Sequence, residues 1–106
     1  MVVNKNYVLV FDDVIIRQLR KLSTNNHLKN IITHILDRLE EHGPNAGKIL
    51  DSRFQIYEIK MKHPPIRLYY KYNFITREIY VFEFEMKTSD TKQQRTIDKI
   101  RRRLDS

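Results

Sequence analysis

Apolar positions along this chain follow two different periods, and the change between them divides the sequence. Tyr7-Val8-Leu9-Val10-Phe11 is rich in β-branched and aromatic residues and predicts a first strand. Asp12 and Asp13 suit a helix start, as caps and as charges at the positive end of its dipole. Ile15, Leu19 and Leu22 then recur at i, i+4 and i+7, which predicts an amphipathic helix to about Leu22. Ser23-Thr24-Asn25-Asn26 is turn-and-cap material. Beyond it Leu28, Ile31, Ile32, Ile35, Leu36 and Leu39 share one face of a longer helix, which Gly43-Pro44 ends. So short a link predicts an antiparallel helical hairpin.

From Phe54 the period becomes two. Tyr57, Ile59 and Met61 alternate with Glu58, Lys60 and Lys62, and His63-Pro64-Pro65 breaks the run. Leu68, Tyr70 and Tyr72 alternate with Arg67, Tyr69 and Lys71. After a connection from Asn73 to Arg77, Tyr80, Phe82, Phe84 and Met86 alternate with Glu83 and Glu85. Short strands with tight links predict an antiparallel meander. Thr88-Ser89-Asp90 offers a further cap, and Ile97, Ile100 and Leu104 give a last helix a narrow apolar stripe beside Lys92, Arg95, Lys99 and Arg101 to Arg103. The expected fold is α+β, one domain over 1–106, in the order β-α-α-β-β-β-α. One sheet face takes the helical hairpin, and the face with charges and tyrosines is expected to meet solvent or a ligand.

Charge sharpens that expectation. Lys and Arg number 20 against 13 Asp and Glu, a net +7, and a field of that sign favours nucleic acid or an acidic protein partner as well as plain solubility. No cysteine is present, so disulfides, thiolate metal sites and cysteine nucleophiles are excluded. Two glycines, Gly43 and Gly47, are too few for a Gly-rich phosphate loop. No apolar run approaches the roughly 18 residues of a membrane span. Met1 to Phe11 makes a poor secretory signal, so a cytoplasmic protein without a membrane partner is expected. His27, His34 and His42 have no partners at metal-ligand spacing and are read as surface or structural residues. No metal or cofactor is expected.

Three segments, taken in order, resemble a known family. Ile56-Tyr57-Glu58-Ile59-Lys60 is similar to a Leu-Trp-Glu-Leu-Arg strand, Ile66-Arg67-Leu68-Tyr69-Tyr70 to Tyr-Arg-Ile-Leu-Tyr, and Phe84-Glu85-Met86-Lys87-Thr88 to Phe-x-Lys-Lys-Thr before a last helix. With the element order, these resemble the RelE/ParE toxin superfamily, closest to its HigB-type, phage Gp49-like branch. Met86 departs from the first lysine of the Lys-Lys pair. The resemblance implies a helical hairpin on a curved antiparallel sheet. It also implies a type II toxin that cleaves mRNA at the ribosome without a metal, leaving a 2′,3′-cyclic phosphate, and an acidic antitoxin partner. A ParE-like gyrase inhibitor and a non-catalytic basic RNA- or protein-binding relative are the alternatives, since a fold does not fix a function. A free monomer and a dimer both stay open.

Such cleavage needs a proton taken from the 2′-hydroxyl, charge stabilised on the phosphoryl oxygens and a proton given to the leaving oxygen. Arg67 stands out, a cation inside an apolar and aromatic strand, on the same side as Tyr69 and Lys71. In a simple meander Lys60 and Lys62 share that face. By that resemblance Arg67 would clamp phosphate, and Lys60 would contact it or act as a base. The resemblance adds Lys87 as a third catalytic candidate. Lys62, Tyr69, Lys71, Arg101 and Arg102 are candidates for RNA binding, Tyr69 by stacking on a base. Against these stand a surface arginine paired to glutamate, solvated lysines and a packed tyrosine. Glu58, Glu83 and Glu85 either supply a general base or hold Lys60 and Arg67 through cross-strand pairs. His63, in the turn between two candidate strands, is a further acid or base candidate.

Overall fold

A computed structural model describes residues 6–86 and 89–105. Strand β1 (Val8–Phe11) leads into helix α1 (Asp13–Lys21), and a short 3-10 turn (Leu22–Thr24) joins it to helix α2 (Asn26–His42). Four strands follow, β2 (Lys48–Asp51), β3 (Ile56–Lys62), β4 (Pro65–Asn73) and β5 (Glu78–Met86), and helix α3 (Asp90–Asp105) ends the chain. Both hairpin helices start on the expected caps. Asp12 accepts from the Val14 N–H (2.9 Å) and Asn25 from the Leu28 N–H (3.1 Å). Helix α2 stops at Gly43, whose φ of 58° favours glycine, and any Cβ there would meet the Tyr7 ring at 2.4 Å.

The sheet has five strands in the order β1-β5-β4-β3-β2. The α+β class and the helical hairpin on a curved sheet stand as expected, with two refinements. β2 is an additional short edge strand, antiparallel to β3. The sheet is mixed, because β1 runs parallel to β5, with Val8 opposite Glu78 and Phe11 opposite Val81. Where β1 ends, Gln18 of α1 takes over its role: its amide donates to the Phe84 carbonyl (2.8 Å) and accepts from the Phe84 N–H (3.0 Å). That pair satisfies the β5 backbone just where its neighbouring strand stops.

The hairpin covers one face of the sheet. Ile15, Ile32, Ile35 and Leu39 pack on Ile59, Ile66, Leu68, Tyr70, Ile79, Val81 and Phe84. Strand β5 departs from simple alternation. Its register with β4 shifts between Tyr69 and Tyr70: Tyr69 faces Glu83, whereas Tyr70 faces Val81. Phe82 is the extra residue of a β-bulge, and one extra residue reverses the phase of everything beyond it. Ile79, Val81, Phe84 and Met86 therefore belong to the hairpin side, while Tyr80 and Phe82 belong to the other. The expected single apolar face of Tyr80, Phe82, Phe84 and Met86 is corrected accordingly.

The second correction concerns that other face. It does not lie open to solvent, because α3 packs across it. Ile97 and Ile100 join Ile56, Tyr69 and Phe82 in a second, smaller core, with Tyr80 and Leu104 at its margin.

Candidate functional site

Strand register places the candidate residues in rows. Lys60 of β3 faces Arg67 of β4, and Arg67 faces Glu85 of β5. In the next row Glu58 faces Tyr69, and Tyr69 faces Glu83. The expected sharing of one face by Lys60, Arg67 and Tyr69 is thus what pairing produces.

The three glutamates are buried, and α3 supplies their partners. Gln93 donates to Glu58 (2.6 Å), Thr96 to Glu85, and the Lys99 ammonium lies 2.8 Å and 3.0 Å from the two oxygens of Glu83. Glu85 also accepts the Tyr69 hydroxyl at 2.9 Å. Burial, and then that hydrogen bond, hold the Tyr69 phenol well above its usual range, so it remains a proton donor. The pairing anticipated for the glutamates exists, but with the last helix instead of with Lys60 and Arg67.

Arg67 is half-buried, and its Nη1 is a buried donor with no hydrogen-bond partner among the described residues. Such a donor costs about 1–3 kcal/mol when left unpaired, and a guanidinium matches the paired oxygens of a phosphate. Lys60, directly opposite, is exposed, as are Lys62 and His63 at the same end of β3. Exposed Lys60 therefore lies beside a half-buried guanidinium at the edge of an otherwise closed face.

Other candidates lie elsewhere. Tyr69 is fully buried beneath α3 and offers no ring face to a base in this conformation. Lys71 donates to the Phe54 carbonyl (2.8 Å) and lines a cavity of about 340 Å³ with Tyr80, Phe82 and Arg103, away from the Lys60–Arg67 row. Arg101 is committed to Asp51 (2.5 Å) and Asp98 (3.3 Å), so it is a latch for α3 before it is a ligand contact. Arg102 is exposed. Lys87 lies outside the described residues.

What fastens α3 is not apparent from sequence periodicity. Asp12, buried at the β1–α1 junction, accepts from Val14 N–H, from the Tyr80 hydroxyl (2.8 Å) and from Arg103. Burial works to raise its carboxyl, and these three donors overrule burial and hold it below the usual carboxylate range. Asp51 behaves alike: burial raises it, while Arg101 and the Phe54 and Arg53 N–H groups bring it below the usual range. Asp12 showed its capping role in the sequence. Nothing in local spacing joins it to an arginine 91 residues away.

Residues 17–105 match the family of phage-derived Gp49-like proteins (DUF891), and the chain belongs to that family. Its structure is similar to a mutant form of the Escherichia coli toxin RelE in the free state, with a TM-score of 0.66 at 21% identity over 89% of this chain and 97% of that one. It is also similar to a chain of the E. coli RelBE toxin–antitoxin complex (TM-score 0.60, 23% identity, 78% and 99% covered). A third similar structure is a chain of the Mycobacterium tuberculosis RelBE2 toxin–antitoxin complex (0.62, 15%, 78% and 93%). At these identities the likeness is one of fold, and the fold is RelE-like. No curated protein matches the sequence. Among the described residues no helix is long and apolar enough to cross a membrane.

Proposed function

We propose that this chain is the toxin of a type II toxin–antitoxin pair, an endoribonuclease that cuts mRNA at the ribosome. The observation that carries this reading is the Lys60–Arg67 row, with the buried, unpartnered Nη1 of Arg67 beside an exposed lysine. Family membership and the RelE-like fold support it.

In this reaction the ribose 2′-oxygen attacks the adjacent phosphorus in line and the P–O5′ bond breaks. The products are a 2′,3′-cyclic phosphate and a 5′-hydroxyl. The 2′-hydroxyl gives up one proton and the departing 5′-oxygen takes one, so no metal or redox partner is needed for balance. Arg67 takes the non-bridging oxygens through its planar fork, and Lys60 adds a point charge as negative charge builds there. Lys87 joins them through its resemblance to the Phe-x-Lys-Lys-Thr segment. Lys60 and His63, exposed at the same end of β3, are the titratable groups placed to exchange protons with solvent. An acidic antitoxin is the partner this reading requires. The net charge of +7 supports it, as do similar structures solved as toxin–antitoxin complexes.

One observation favours a second reading, a non-catalytic RNA-binding relative. Glu58, Glu83 and Glu85 are all engaged by α3, which leaves the row without an unengaged glutamate among these three as a base. End mapping of cellular mRNA separates the readings. Expression of the chain should produce discrete new 5′-hydroxyl ends within coding regions, and Arg67→Ala should reduce them by about 10²–10³-fold, the usual effect of losing one transition-state donor. Growth arrest with intact mRNA would contradict cleavage and leave the non-catalytic RNA-binding and gyrase-directed readings.

A further inference from the structure

A second cationic site adjoins the Lys60–Arg67 row on the opposite side of β3. It is a groove of about 280 Å³, and Arg38 of α2, Lys48 of β2 and Lys60 of β3 all line it. The fold creates it by ending one strand early. β2 pairs only with the Ile56–Glu58 portion of β3, so from Ile59 onward β3 has no strand beside it on that edge. Just before β2, Gly47 lies so close to β3 that a Cβ there would meet the Glu58 carbonyl oxygen at 2.0 Å. That close approach carries Lys48 to the groove wall, while Arg38 reaches it from the last turns of the long helix.

Its lining carries three cations against one carboxylate. No ion pair among the described residues holds Arg38, Lys48 or Lys60. Glu58 supplies the single negative charge of the lining, and its carboxylate accepts from the neutral amide of Gln93 of α3. Three cations from three separate elements around one concavity repel one another unless an anion sits between them. Lys60 belongs both to this groove and to the row with Arg67, so the two sites are continuous.

We propose that this groove is a second phosphate subsite, in which Arg38, Lys48 and Lys60 hold the RNA phosphate next to the one that Arg67 engages. The substrate then runs across β3, with one backbone phosphate on each side of Lys60. This assignment rests on the RNA-directed reading above for its ligand, but its test needs no cleavage. Arg38 and Lys48 are positioning residues: they fix where the strand lies and take no part in bond breaking. Phosphate is favoured over the carboxylates of an acidic protein because the groove shares Lys60 with the guanidinium row of Arg67.

The experiment uses the whole chain and a short single-stranded RNA carrying 2′-O-methyl riboses, which cannot be cut. Affinity is measured by fluorescence anisotropy across a range of salt, for the wild type, Arg38→Gln/Lys48→Gln and a charge-matched control, Arg20→Gln/Lys29→Gln, on the exposed hairpin surface. The groove variant should bind about tenfold more weakly, with a salt slope shallower by about 0.7, the value for one lost phosphate contact on a single strand. The control should keep the wild-type slope. On cleavable RNA the groove variant should raise KM by about the same factor with kcat within about threefold, since only uniform binding is lost. Equal behaviour of the groove variant and the control would overturn the proposal. So would loss of binding to a short poly-glutamate probe with RNA binding intact, which would make the groove a protein-binding surface. If the wild type binds the uncuttable RNA through the groove but yields no new 5′-hydroxyl mRNA ends in cells, the subsite stands and the nuclease reading fails.

Discussion

The two faces of the sheet are closed by helices, but in opposite ways. Toward the α1–α2 hairpin the contact is a continuous apolar core, from Ile15 and Ile35 to Leu68 and Phe84. Toward α3 only Ile97, Ile100 and Leu104 bring apolar surface, and most of the contact is polar: Gln93 on Glu58, Thr96 on Glu85, Lys99 on Glu83, Arg101 on Asp51 and Arg103 on Asp12. The first face is held by burial, which does not titrate and is not screened by salt. The second is held by hydrogen bonds and ion pairs, whose net contribution is smaller and depends on both. A domain of this size can give its stability to one face and leave the other for chemistry. The unpartnered donor of Arg67 lies on the second.

The largest expected effect is on the hairpin face. Leu68→Ala, at a position with no exposed surface, should lower the unfolding free energy by about 2–5 kcal/mol in urea titrations. Next comes the polar face. Tyr69→Phe removes one donor from buried Glu85 and should cost about 1–3 kcal/mol by the same titration. An equal loss in both variants would mean that the faces are not built differently.

Acid provides a finer comparison. Asp12 and Asp51 have folded-state carboxyls below their ordinary value. Their contribution is therefore complete above the unfolded-state pKa, near the usual carboxylate value, and is lost as pH falls from there through the depressed folded-state value. Unfolding measured from neutral pH down to about pH 2 should show this loss, and Asp12→Asn should flatten it. Leu68→Ala should shift the whole curve without changing its shape. The smallest effect belongs to Arg101→Gln, which should cost about 1 kcal/mol or less because the Arg101 side chain is 37% exposed. Its loss should shrink further in high salt.

The same contrast explains what could be read in the sequence. The hairpin face was legible because periodicity reports burial: the α2 stripe, both caps, and the alternation of β3 and β4 all reappear in the structure. The α3 face was not. Glu58, Tyr69, Glu83 and Glu85 look solvent-facing by polarity, and nothing in a hydropathy pattern says that Gln93, Thr96 and Lys99 will satisfy them. The stripe of Ile97, Ile100 and Leu104 showed that α3 docks, but not where. Strand β2 escaped because Lys48–Asp51 is four residues with no alternation. The β5 phase was misread because a bulge adds one residue that a count by twos cannot see. For the candidate site, register brings Lys60 and Arg67 together as the alternation implied. Tyr69 and Arg101 are drawn into packing that only the tertiary fold creates, and Arg38 and Lys48 reach the groove from elements too distant in sequence for any spacing rule to join.

Arg67 is proposed to serve function at the expense of stability, and one paired measurement on Arg67→Met tests this. Methionine keeps much of the side-chain volume and removes the unpaired donor. Arg67→Met should have an unfolding free energy equal to or above that of the wild type, with new 5′-hydroxyl ends in cellular mRNA reduced by about 10²-fold or more. A variant that loses stability while cutting RNA at the wild-type rate would contradict it, and would make Arg67 a structural residue of the sheet.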